Sequence, residues 1–230
     1  MLDALYFVLI EPIRFALLLV LEQAYAVTGS YGLAIVLLSV VFNLALLPAY
    51  HLAEKVQDKE RAIQRRMAPK IEEFKFAFKG QERYWMLRTL YRQHRYHPVY
   101  ALRGLLPLAI QIPFFIATFG LLSNYQPLNG VSFMGLADLG KPDHLLFGVN
   151  VLPIVMTLLN ALAVYFYSKQ LTERERIQSN VIALIFLVLL YRSPAGLVLY
   201  WTVNNLISVI KSFVYSVNRR RQLSGVQNCV

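Results

Sequence analysis

Residues 31–50 read YGLAIVLLSVVFNLALLPAY. The stretch has no charged side chain and matches the roughly 20 apolar residues that cross a bilayer core. One amide, Asn43, interrupts it. A polar side chain at membrane depth is costly unless it faces protein or water, so Asn43 reads either as a functional residue or as hydrogen-bonding glue to a neighbouring helix.

The rest of the chain has the same character. Of 230 residues, 57% are hydrophobic and 16% charged, against about 25% charged in soluble domains. The charges are clustered and leave long apolar runs, so the composition reads as an all-α, polytopic membrane protein. The one cysteine, Cys229, excludes a disulfide framework, and no Cys/His spacing fits a metal.

Residues 1–29 read as an N-terminal interfacial amphipathic helix over about 12–27, with Pro12 in its first turn and Arg14 and Glu22 toward water. A tilted sixth span is the alternative. No removable signal peptide is expected there. After the span at 31–50 the character changes abruptly. Segment 51–97 holds twelve Lys/Arg and six Asp/Glu. Leu52, Val56, Ile63, Met67, Ile71, Phe74 and Phe78 recur near the helical period, Lys79-Gly80-Gln81 breaks it, and Tyr84, Leu87 and Tyr91 resume it. This predicts an antiparallel helical hairpin over 51–100 standing in water, its first helix kinked at Pro69. Further spans are expected at about 101–123, 150–168, 177–192 and 196–214. Arg103 is placed to reach the headgroups, and a polar loop covers 124–149. The spans at 30–50 and 101–214 form a five-helix core. A basic tail, 215–230, follows.

Of the 23 Lys/Arg, 19 fall in segment 51–97, loop 169–176 and the stretch 211–221. The positive-inside rule puts all three in the cytoplasm, with the N-terminus outside and the C-terminus inside.

Four spans place an amide at similar depth: Asn43, Gln111, Asn160 and Asn204. Ser39, Thr118, Thr157, Tyr200 and Ser208 lie one or two turns away. Either these groups bond each other and lock the bundle, or they line a wet cavity. No Asp, Glu or His lies in any of the spans, which argues against a proton-coupled transporter. No phosphate loop, metal motif or nucleophile–base pair is present, so neither an enzyme nor a cofactor is expected.

The ordered motifs resemble the YidC-type membrane protein insertases, with their Oxa and Alb relatives. They are Ile10-Glu11-Pro12, Gly32-Leu33-Ala34-Ile35 through Leu47-Pro48, Pro69-Lys70-Ile71, Leu90-Tyr91-Arg92 through His97-Pro98, Pro107 through Gln111 and Pro113, Asp138-Leu139, Pro142-Asp143, Leu152-Pro153-Ile154, and Ser193-Pro194 through Tyr200-Trp201 and Asn204-Asn205-Leu206. The resemblance implies a multi-pass protein of the bacterial inner membrane. It implies a hydrophilic groove, closed outside, that receives polar segments of nascent membrane proteins while their apolar segments pass into lipid. The groove residues would be Asn43, Ser39, Gln111, Thr118, Asn160, Tyr200 and Asn204. Pro69, Lys70, Phe78, Gly80 and Tyr91 would mark the substrate-recruiting hairpin, and Arg219, Arg220 and Arg221 a ribosome or lipid contact. The implied partners are nascent membrane proteins, the bilayer, the ribosome and the Sec translocon, without a small-molecule substrate. The family usually carries an arginine where this chain has Asn43. An assembly scaffold without insertion activity and a small-solute channel are the competing functions.

Overall fold

The computed structural model describes residues 2–97, 99–100, 103, 106–146, 148–167 and 173–227, with backbone alone at 2–5, 107, 167, 173–174, 215–216 and 218–227. Among the described residues the order is α1 (Leu2–Thr28), α2 (Tyr31–Ala77), α3 (Gly80–Gln93), α4 (Leu106–Leu122), α5 (Leu152–Tyr167), α6 (Glu173–Leu190) and α7 (Ala195–Gln227). No strand is present among them. The all-helical class expected from the composition is borne out. Among the described residues, two helices are long and apolar enough to cross a membrane, within Tyr31–Ala77 and Ala195–Val214.

Contacts divide the chain into two compact units, 1–45 with 113–230, and 46–112. The core of the first is built by helical periodicity. Ile10, Leu17, Leu21 and Ala24 of α1 recur at steps of seven, four and three and are buried with Ala34, Ile35 and Leu38 of α2, Ala117 and Leu121 of α4, and Leu197, Val198 and Trp201 of α7. Helix α1 begins at Leu2 rather than near residue 12, and Pro12 lies inside it. The buried Ile10 explains the longer start: packing outweighs the single N–H that a proline withholds. Arg14 and Glu22 are exposed as expected, and Arg14 pairs with Glu11 at 3.2 Å.

Residues 123–151 fold over the starts of α5 and α7. Leu128, Leu136 and Leu139 are buried in the core. The first amides of α7 lack intrahelical acceptors, and the loop supplies them: Ala195 N donates to Lys141 O at 2.7 Å and Gly196 N to Leu139 O at 2.8 Å. Asp143 does the same for α5, accepting from Val151 N at 2.7 Å and Leu152 N at 3.0 Å. Asp138 accepts from the Gly130 and Gly140 amides at 2.9 and 2.8 Å. Burial opposes its charge, but those two amides and the Lys141 ammonium outweigh it and hold the Asp138 pKa below the usual value. Two glycines admit the loop. A Cβ on Gly32 would stand 2.0 Å from the Phe133 ring, and one on Gly196 would stand 3.1 Å from Leu139 O.

In the second unit the hairpin pairs the end of α2 with α3. Met67, Leu90 and Tyr96 are buried, with Ile63, Ile71, Phe74 and Tyr91 packed around them. The seam differs from expectation at three residues. Leu52 is 65% exposed and Tyr84 60% exposed, while Leu90, which the periodicity passed over, is buried. Neither α2 nor its hydrogen bonding stops at residue 50; the helix continues through Pro48 and Pro69. Gly80 opens α3 with φ +58°, the left-handed region that suits glycine. Arg103 lies 3.8 Å from the buried Glu60 carboxylate and 4.0 Å over the Tyr100 ring. Tyr96 faces Glu60 and Gln64, and burial first, then the Glu60 carboxylate, pushes its pKa up to about 12.

Several expected boundaries shift. Among the described residues α4 begins at Leu106, and α6 begins at Glu173, inside the stretch expected as a charged loop. Helix α7 runs past 214 to Gln227, so the stretch expected as a tail is helical through most of its length. Pro98, residues 168–172 and Cys229 lie outside the described residues.

Candidate intramembrane polar cluster

Ser39 and Asn43 lie one turn apart on α2. Tyr200, Asn204, Ser208 and Lys211 follow one another at steps of four, four and three on α7, which puts them on one face. The first unit brings these two stripes together. Ser39 Oγ donates to Asn204 Oδ1 at 2.9 Å, with the Tyr200 carbonyl 3.4 Å away. Asn43 Nδ2 donates to Ser39 O at 3.0 Å and to Asn204 Oδ1. The Asn204 oxygen therefore gathers two donors from α2, which uses both of its lone pairs.

The orientation of the Asn43 amide follows from this network. Turned over, its oxygen would meet two acceptors, and its NH₂ would meet an ammonium. As placed, its oxygen accepts from Lys211 Nζ at 3.3 Å. The order along the cluster is Ser39, then Asn204 and Asn43, then Lys211.

Burial is graded along the same line. Ser39 and Thr118 are fully buried and Tyr200 is 4% exposed. Asn43 and Asn204 are half-buried, while Ser208 and Lys211 are exposed. Thr118, on α4, is a side-chain neighbour of the Tyr200 hydroxyl, although its own Oγ1 makes no hydrogen bond. The cluster is thus packed shut at the end nearer the start of α7 and uncovered toward its C-terminal half.

Asn160, on α5, has a buried Oδ1 without a partner. Asn205 Nδ2 donates to Met156 O at 3.1 Å and ties α7 to α5. Gln111 belongs to the second unit and accepts from the Tyr50 hydroxyl.

The hairpin residues are dispersed. Pro69, Lys70 and Gly80 are exposed, and Tyr91 packs in the seam. Phe78 is half-buried, its ring 5.8 Å from Phe74. Phe76, at 93% exposed, and Trp85, under Arg88 at 5.3 Å, are more prominent there. The backbone of α7 runs through Arg219, Arg220 and Arg221, whose side chains lie outside the described residues. No group of three metal-ligating side chains forms among the described residues.

Comparison with known proteins places this architecture. Residues 23–222 match the model of the 60Kd inner membrane protein family. The chain belongs to that family. Its relatives include the membrane protein insertase YidC of Cupriavidus taiwanensis, 32% identical over 86% of this chain, and that of Syntrophobacter fumaroxidans, 32% identical over 88%. The YidC of Thiobacillus denitrificans is 27% identical over 94%. These matches cover 34%, 37% and 38% of the relatives, so the chain spans about a third of their length. The crystal structure of an active YidC insertase with its first transmembrane domain resolved has TM-score 0.57 and 25% identity, covering 88% of this chain and 46% of that one. The YidC-type resemblance read from the motifs is borne out, and the family description agrees with the inner-membrane location expected from the sequence.

Lys211 is the cluster member that the sequence reading missed. Its position just inside the charged end of the last span counted it among the tail charges. The signal was available in the seven-residue step from Asn204, which returns a helix to the same face.

Proposed function

We propose that this chain is a membrane protein insertase and folding chaperone. Its hydrophilic groove, lined by Ser39, Asn43, Tyr200 and Asn204, takes the polar segment of a nascent membrane protein while the apolar segment slides into lipid. Five spans carry it, N-terminus outside and C-terminus in the cytoplasm. The hairpin recruits substrate, and the ribosome and the Sec translocon are its further partners. No covalent bond is made or broken.

The observation that carries this reading is the graded burial of the cluster. A polar segment crossing a full hydrocarbon core loses its water, at several kcal/mol for each unpaired group by order of magnitude. A line of amides and hydroxyls that is open toward one end and packed at the other offers replacement hydrogen bonds over part of that path. The exposed apolar side chains on the spans, among them Leu158, Leu184 and Val188, suit contact with acyl chains. Family membership and the YidC naming of the relatives support the same function.

The test is Asn43→Leu. On the insertase reading it lowers insertion of a small client by a larger factor than it lowers thermal stability. A specific observation favours a second reading: the amides satisfy one another, as they would in a scaffold that only holds finished subunits. Equal loss of insertion and stability supports that scaffold, as does a photocrosslinker at exposed Ser208 that captures finished subunits and never nascent chains.

A further inference from the structure

In the second unit the chain that leaves α3 returns along α2 in antiparallel order. Gln64, Glu60 and Tyr50 of α2 meet Tyr96, Arg103 and Gln111 in turn. Gln57, Glu60, Gln64 and Met67 follow at steps of three and four, so they share one face of α2. Gln57 and Glu60 are buried on that face, where polar groups take over from the apolar seam. The Glu60 side chain is 4% exposed. Its Oε1 accepts from Gln64 Nε2 at 3.3 Å, and the Tyr96 hydroxyl, 3.3 Å from the same Nε2, donates to the carboxylate. Oε2 accepts no hydrogen bond among the described residues. The Arg103 guanidinium stands 3.8 Å from it, and that side chain is 47% exposed. A carboxylate buried so deeply needs close compensation, because desolvation penalises its charge. Here the compensating charge is loose and half in water. Rings carry the contact outward from the seam: Tyr91 to Tyr96 at 5.5 Å, Tyr96 to Tyr100 at 6.1 Å, and Arg103 over Tyr100 at 4.0 Å.

We propose that Glu60 and Arg103 form a charge-gated latch that clasps the chain leaving α3 onto α2. With Arg103 in place the carboxylate stays buried, and its bonds to Gln64 and Tyr96 hold. With the guanidinium drawn into water the carboxylate is uncompensated. Glu60 then turns to solvent, which breaks those bonds and frees Tyr96 from α2. The seam residues Met67 and Leu90 carry no charge, so the latch opens while α2 and α3 stay paired. Arg103 stands three residues before Leu106, the first residue of α4, so the latch sets where the chain entering α4 parts from α2. Half of the Arg103 side chain is in water, which makes the latch sensitive to ionic strength. None of this depends on the insertase reading.

The experiment follows amide hydrogen exchange of the full chain in lipid nanodiscs. The reporters are Tyr96 and Tyr100, whose N–H groups donate to Tyr91 O and His97 O at 2.8 Å, with Leu90 in the seam as the control. Arg103→Gln leaves the carboxylate uncompensated and speeds exchange at both reporters about tenfold, the scale for a half-exposed partner of a buried charge. Glu60→Gln keeps an acceptor for Gln64 and Tyr96, removes the buried charge, and leaves exchange unchanged or slower. The double variant Arg103→Gln with Glu60→Gln returns exchange to within about twofold of wild type, because the two residues act as a pair. Raising salt from about 0.05 M to about 0.5 M speeds exchange in wild type and not in the double variant. Leu90 exchanges alike in all four proteins. No change in Arg103→Gln overturns the latch, as does a wild type insensitive to salt. Faster exchange that Glu60→Gln does not reverse also overturns it and marks the Tyr100 stack as the holding contact. Equal acceleration at Leu90 marks unfolding of the hairpin and overturns it as well.

Discussion

Both ends of the Asn43 amide are engaged, and the hub of the network is its partner, Asn204. Asn204→Leu takes away the acceptor of Ser39 Oγ and Asn43 Nδ2 together. With buried donors left unpaired, it lowers stability in detergent by about 1–3 kcal/mol. Asn160→Leu removes an oxygen that has no partner and costs less than that, or stabilises. Thermal melts of the two variants give the order; the reverse order would contradict the network. Asp138 offers a pH test. Its pKa is depressed in the folded state, so its contribution is present above the unfolded carboxylate pKa of about 4 and is lost as pH falls below it. The melting temperature of wild type minus that of Asp138→Asn therefore narrows on acidification through that range. Charge-free runs in the sequence set the depth expected for each polar residue. It did not show which of them meet, because that depends on rotation about each helix axis. The packing showed that Lys211 meets Asn43 and that Asn205 meets the backbone of α5.

At the scale of elements, periodicity located the helices but misjudged their ends. Helix α2 continues for 47 residues through two prolines, across the change from apolar to charged residues. Composition records the surroundings of a helix, and the backbone hydrogen bonding does not change with them. The hairpin seam was legible at Ile63, Met67, Ile71 and Phe74. It was not legible at Leu90, because Leu87, Leu90 and Tyr91 all satisfy a step of three or four from neighbours. Leu90→Ala leaves a cavity between the helices and destabilises by about 2–4 kcal/mol, while Tyr84→Ala, at an exposed site, changes stability little. Urea melts of the full chain followed by a probe on the hairpin compare them. The loop makes a separate demand on α2. Gly32→Ala puts a Cβ into the Phe133 ring and costs about 1–3 kcal/mol by overpacking, and Phe133→Ala in the same background recovers part of it. No recovery would show that the ring is not the obstacle.

For the whole molecule, family membership and the helical architecture agree with what the motifs implied. The finer account concerns a path: polar residues packed shut toward the loop and uncovered toward the C-terminal half of α7. Single cysteines at Ser39, Asn43 and Ser208 are expected to react with a water-soluble thiol reagent in rising order from the cytoplasmic side, after Cys229 is replaced. A flat or inverted order would contradict an inward-open groove. The most direct test is insertion itself. The full chain, alone in liposomes, is given a newly synthesised one- or two-span client and then protease. The account predicts a protected fragment well above that of empty liposomes, reduced by Asn43→Leu. No protection across a range of clients, from protein that melts cooperatively, would contradict it.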